Sequence, residues 1–116
     1  MISSRLLVFF LVLFLSGAGV AQSSSKLYRD LEDALMHKDS VYRLDLSGKR
    51  LRQFPEEIFE LKALQELDLS RCKLDSMPTD WPLSELTSLV LSNNRIKEIP
   101  IGIFRLRKLE KLRLDH

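Results

Sequence analysis

Few residues in this chain are of types that do bond-making chemistry, and their spacing does not gather them. The supply is two histidines, one cysteine and sixteen carboxylates. Nucleophilic catalysis needs a nucleophile with a base in hydrogen-bond reach, but neither His37 nor the terminal His116 has a nucleophile beside it. Glu32-Asp33 and Glu56-Glu57 are neighbours in sequence, whereas acid–base catalysis needs two carboxyls facing across a cleft. No glycine-rich phosphate loop, zinc-ligand spacing or nucleophile elbow is present. The expectation is a protein that is not an enzyme and carries no cofactor.

What the chain does space regularly is leucine. Segments beginning at Val41, Leu64, Leu86 and Leu109 each place apolar residues at the first, fourth and sixth positions: Leu44 and Leu46, Leu67 and Leu69, Leu89 and Leu91, Leu112 and Leu114. Another apolar residue follows five positions on, at Leu51, Leu74 and Ile96, and then an apolar-proline pair at Phe54-Pro55, Met77-Pro78 and Ile99-Pro100. The units run over residues 41–63, 64–85 and 86–108, with a partial fourth at 109–116. Alternation with period two makes the start of each unit a short strand with its leucines on one side. One unit cannot bury that side alone, so units must stack, with parallel strands ~4.8 Å apart. The prolines, which lack an N–H and fix φ, suit a bend or the first turn of a short helical return. Ile58, Leu61, Trp81, Leu83, Ile103 and Leu106 then close the core from the far side, although Trp81 also reads as an exposed aromatic contact.

These segments resemble leucine-rich repeats, L-x-x-L-x-L-x-x-N/C-x-L, with a proline-bearing variable half. The match covers residues 41–116, and the repeats are most like those of secreted bacterial members. The resemblance implies an α/β solenoid: a short curved parallel sheet on the concave side, an irregular or short helical convex side, and a function of holding another macromolecule, a protein or a glycan, on the concave face. At the asparagine position stand Asn94, Cys72 and, departing from the pattern, Lys49. Asn94 can satisfy the backbone of a turn buried between units. Cys72 reads as a small buried thiol rather than a reactive one. The first turn, with Lys49, is expected to be the least regular.

In such a solenoid the residues between the leucines project from the concave face. They form rows: Arg43, Glu66, Ser88, Lys111; Asp45, Asp68, Val90, Arg113; Ser47, Ser70, Ser92, Asp115; Gly48, Arg71, Asn93, His116. Free of the core's demands, Arg43, Asp45, Glu66, Asp68, Arg71, Ser88, Val90, Asn93, Lys111 and Arg113 are the candidate partner-binding residues. Each has a plainer reading as solvated surface. Arg43 beside Glu66 reads as a cross-strand ion pair. Asp45 and Asp68, like charges side by side, await a cationic group or a metal, though two carboxylates fall far short of the six or more oxygens calcium takes.

The ends bear on where the protein works. Arg5, the apolar run over residues 6–15, and the small residues up to Ala21 have the form of a secretory signal peptide. Residues 6–21 are short of the ~20 apolar residues of a spanning helix. The expectation is a cleaved signal over residues 1–21, a mature chain beginning at Gln22, and a secreted, periplasmic or cell-surface location, with no stable membrane span. Taking 21 residues from 116 leaves 95, one small domain, carrying 17 Lys and Arg (18 less Arg5) against 16 Asp and Glu. That balance gives no reason to invoke nucleic acid. Residues 22–40 are expected to cap the first unit with a helix over 26–37, N-capped by Ser25 and bearing a stripe of Leu27, Leu31, Ala34 and Leu35. At the other end the fourth unit stops after its strand. The open edge predicts self-association, or a fragment of a longer surface or adhesion protein.

Overall fold

The computed structural model describes residues 26–115. Each x-L-x-L segment forms a three-residue strand: β2 (Arg43–Asp45), β3 (Glu66–Asp68), β4 (Ser88–Val90) and β5 (Lys111–Arg113). With β1 (Leu27–Tyr28) they make one open parallel sheet in chain order. Its register aligns Leu44, Leu67, Leu89 and Leu112, so every repeat sits one rung from the last. Such a strand is too short to be stable alone; it persists because adjacent strands supply hydrogen-bond partners, on both sides for β2 to β4 and on one side for β5.

The leucines that alternate inward are sealed off. Leu44, Leu46, Leu67, Leu69 and Leu89 are at most 1% exposed, as are Leu64, Leu74 and Leu86. Burying each contributes roughly 1.5–3 kcal/mol relative to leaving it in water. The return halves close the core with Ile58, Leu61, Trp81, Leu83, Ile103 and Leu106, all buried. Trp81 is therefore core: its ring packs edge-on against Phe54 and Phe59, and its indole N–H donates to the Pro78 carbonyl at 2.9 Å.

Two returns wind into a single 3₁₀ turn, Glu56–Glu60 and Ile101–Arg105, each entered through proline in extended backbone. The middle return has none. It is one residue shorter, and Pro82 steers Trp81 away from helical angles.

The N-terminal segment departs from expectation. In place of a helix over residues 26–37, Leu27 and Tyr28 form β1, pairing with Arg43 and Leu44. The helix α1 (Leu31–Leu35) then begins after Asp30, which makes no side-chain cap bond. An isolated helix of that length is marginal in water, whereas the free edge of β2 offers unpaired N–H and C=O groups. Sheet pairing wins for the first residues. The stripe survives in shorter form, with Ala34 fully buried and Leu31 and Leu35 packed on the core. The expected signal, the Ser25 cap and His116 lie outside the described residues.

Gly102 shows how tightly rungs stack. Its N–H donates to the Thr79 carbonyl at 2.9 Å, and a Cβ added there would lie 2.2 Å from that oxygen. Backbone cannot swing aside as a side chain can, so Gly102→Ala must push the third return off the second. We expect it to lower stability by about 1–3 kcal/mol in denaturant unfolding. A neutral result would show that the return halves slide freely.

Candidate functional site

The exposed residues are only as well placed as the turns that leave the strands, and Asn94 organises those turns. Its carbonyl oxygen accepts the N–H groups of Cys72 and Leu74, both at 3.0 Å. Its amide donates to the carbonyls of Leu69 and Leu91 at 2.8 and 2.9 Å. One side chain thus satisfies backbone of two successive rungs. Cys72 performs the same task for the rung before it, with its thiol donating to the Leu46 carbonyl at 3.1 Å. Burial pushes that thiol's pKa up, against the nearby N–H groups of Lys49, Gly48 and Leu51, so it stays protonated. Lys49 holds no earlier turn. One rung before it the chain has already turned into α1, and Lys49 is exposed.

The turns held this way carry left-handed backbone. Gly48, Arg71 and Asn93 share one repeat position and all have positive φ, as do Arg50 and Lys73 at another. Glycine takes such angles freely and asparagine at small cost, but arginine and lysine pay roughly 1–2 kcal/mol. The first turn has three left-handed residues, Gly48, Arg50 and Arg52, against two in the second and one in the third.

On the sheet face, Arg43, Asp45, Glu66, Asp68, Ser88, Val90 and Lys111 line one shallow trough, with Leu27 at its N-terminal end. Arg43 donates to Glu66 at 3.0 Å, an exposed pair worth at most about 1 kcal/mol. Arg71 and Asn93 instead stand on the exit turns, and Arg113 lies past the trough, 3.5 Å from Asp115. The ten candidates are therefore not one cluster.

Asp45 and Asp68 have local work to do. Each accepts the N–H of the serine two residues on, Ser47 or Ser70, at 2.9 Å, and Asp68 also accepts the Ser70 hydroxyl at 2.7 Å. These bonds close the strand ends and explain the like-charged neighbours without a ligand. Arg29, at 3.9 Å from Asp45, adds opposite charge. Burial alone would raise the Asp45 carboxyl. The Ser47 hydroxyl and N–H, with the charges of Arg29 and Lys49, outweigh it and hold the pKa below the usual range. Among the described residues, no group of three His, Cys, Asp or Glu side chains could hold a metal ion.

A family model described as Leucine Rich Repeat matches residues 63–83 and 85–106. A solved leucine-rich repeat protein of Leptospira interrogans superposes on 78% of this chain with a TM-score of 0.64 and 33% sequence identity. The matched units are leucine-rich repeats, and the fold is a leucine-rich repeat solenoid. The chain spans 24% of that Leptospira protein's length. Leucine-rich repeats are, as a class, protein-interaction scaffolds and typically non-enzymatic.

Two outcomes follow from this geometry. Asn94→Ala leaves buried N–H and C=O groups of two rungs unpaired and should lower stability by about 2–4 kcal/mol, whereas Cys72→Asn should be tolerated; equal losses would contradict a shared role. A depressed Asp45 pKa contributes stability above its unfolded value, and that stability is lost as pH falls through the folded one. Melting temperature should therefore drop more steeply below about pH 4 in the wild type than in Asp45→Asn. Parallel curves would mean that the Asp45 contacts add nothing to folding.

Proposed function

We propose that this leucine-rich repeat protein is exported and holds a protein partner on its concave face. The observation that carries the reading is the division within each strand. Leu44, Leu67 and Leu89 are sealed in the core while the residues beside them line an open trough. The trough is polarised along the solenoid. On the first two repeat rungs the carboxylates Asp45, Glu66 and Asp68 outnumber the cation Arg43, whereas the last rung carries Lys111, with Arg113 beyond it. A partner of complementary charge meets this face in one orientation only, which gives specificity more than raw affinity. Glu66 and Lys111 are exposed and carry no strand-end bond, so they are its clearest probes.

Affinity capture from the organism's surface or culture fraction provides the test. Glu66→Arg and Lys111→Glu should each release a partner that the wild type retains; the melting temperature should hold in Lys111→Glu and fall only by the few degrees that losing the exposed Arg43 pair allows in Glu66→Arg. Retention by both, with loss in the convex variant Glu57→Lys, would move the site to the other face.

Export rests on the basic, apolar and small-residue succession at the N-terminus. Mass spectrometry of secreted or periplasmic material should find a chain starting at Gln22, and protein recovered only full-length in the cytosol would refute it.

A second reading takes these rungs as part of a longer surface array. The last rung favours it: Leu112 is only half-buried, and Phe104 and Leu114 are 68% and 39% exposed. The short share of the Leptospira protein that the chain spans favours it too. In that case, appending one further repeat should bury these residues and raise the melting temperature.

A further inference from the structure

Two rungs close their strand ends in one way, and the third does not. In Asp45-Leu46-Ser47 and Asp68-Leu69-Ser70 the carboxylate accepts the serine N–H at 2.9 Å. The third rung reads Val90-Leu91-Ser92. A valine side chain has no acceptor, and among the described residues the Ser92 N–H has none. The Ser92 hydroxyl is engaged elsewhere, donating to Asp115 at 2.8 Å. Ser92 is only 6% exposed, and an unpaired backbone N–H on so buried a residue is uncommon in a folded protein. By the repeat, this N–H points to the place where Asp45 and Asp68 put their carboxylates, on the trough that Val90 lines.

The surroundings suit what is missing. Valine ends at its Cγ atoms, whereas aspartate carries its oxygens one bond beyond Cγ, so Val90 does not take the place of the accepting oxygen. The next rung sets Lys111 beside Ser88 and Arg113 beside Val90, both cations exposed. Arg113 is 3.5 Å from Asp115, an exposed pair that water screens and that leaves the guanidinium open to a second carboxylate. On the other side stands Asp68, whose Oδ1 is held by Ser70. A carboxylate one rung from another is already tolerated at Asp45 and Asp68.

We propose that the protein partner itself supplies the third rung's carboxylate, placing an aspartate or glutamate side chain over Val90. That carboxylate accepts the Ser92 N–H, as Asp45 and Asp68 accept those of Ser47 and Ser70, with Arg113 and Lys111 on its flank. The chain's own rungs select the ligand: the same position is filled by a carboxylate twice, and where it is not, the donor stays unpaired and cations adjoin. A hydrogen bond to an ionised acceptor is roughly twice as strong as a neutral one, which favours an acid over an amide or hydroxyl. Val90 adds an apolar contact to the partner side chain's methylene groups. This inference rests on the concave-face reading and names the contact that fixes the partner's register on it.

The test follows the amide resonances of the full-length protein as acetyl-Ala-Asp-Ala-amide is added in large excess, with the Asn and phosphoserine tripeptides as comparisons. The Ser92 amide proton should move downfield with the Asp peptide and hold still with the Asn peptide. Arg113→Gln should weaken the Asp peptide's binding about three-fold. Val90→Asp supplies the carboxylate from within: its Ser92 amide should start downfield, and peptide binding should fall at least about ten-fold. If that variant does not fold, Arg113→Gln decides alone. A Ser92 amide that does not move, an equal response to the Asn peptide, or tighter binding of the phosphoserine peptide would each overturn the proposal. In the capture experiment, release by Lys111→Glu with retention by Val90→Asp would overturn this contact and leave the concave face standing. Retention by both Glu66→Arg and Lys111→Glu would remove the face itself.

Discussion

Everything in this molecule depends on one rung leaning on the next. A repeat of 22 or 23 residues with a three-residue strand has too little apolar surface to offset the entropy of ordering its own chain. Stacking removes that deficit, because each inward leucine is covered by the leucines of the adjacent rungs and each strand finds hydrogen-bond partners there. Stacking requires identical spacing at every level of the unit, in the sheet, in the exit turn and in the return. Leu67 sets it in the sheet, Asn94 in the turn and Gly102 in the return. Each of the three admits little else at its place: an apolar side chain, a side chain that both donates and accepts, and no side chain at all.

That constraint divides the sequence into residues the stack dictates and residues it leaves free. The dictated ones were legible from the chain alone, since a period of two within the strand and of 22 or 23 between units admits one arrangement. The expected rows reappear as paired residues, Arg43 with Glu66 and Asp45 with Asp68. The return residues, Trp81 included, stand in the core as the pattern required. What the period could not carry was the local chemistry of residues read as free. Asp45 and Asp68 read as neighbouring like charges awaiting a cationic group or a metal, yet each closes its strand by accepting a serine N–H two positions on. The signal was present as a repeated Asp-Leu-Ser, visible once strand ends rather than strand faces are considered.

The N-terminal segment fails to be legible for a different reason. Leu27, Leu31, Ala34 and Leu35 do fall on one helical stripe, and α1 keeps the last three. A helix and a strand compete for Leu27 and Tyr28, and local pattern does not contain the term that decides. That term is the free edge of β2, which lies 15 or more residues away in sequence. Tertiary context overrides propensity wherever an unpaired sheet edge is within reach.

The asparagine position joins these threads, because its occupant acts on the rung before its own. Asn94 fixes the turn around Lys73, and Cys72 fixes the turn around Arg50 with a thiol that still reaches the Leu46 carbonyl. A cysteine there is a weaker hydrogen-bonding group than an asparagine. The turn it holds is the one with three left-handed residues. Lys49 has no repeat turn in front of it to hold and so needs neither amide nor thiol. The three occupants, lysine, cysteine and asparagine, therefore grade with the task each meets. What looks like decay of a consensus along the chain is the consensus responding to whether a preceding turn exists and how regular it is. A surface charge on one rung is thereby set in place by a core residue of the next, which is how a solenoid built only from nearest-neighbour contacts can present a regularly spaced array of charges.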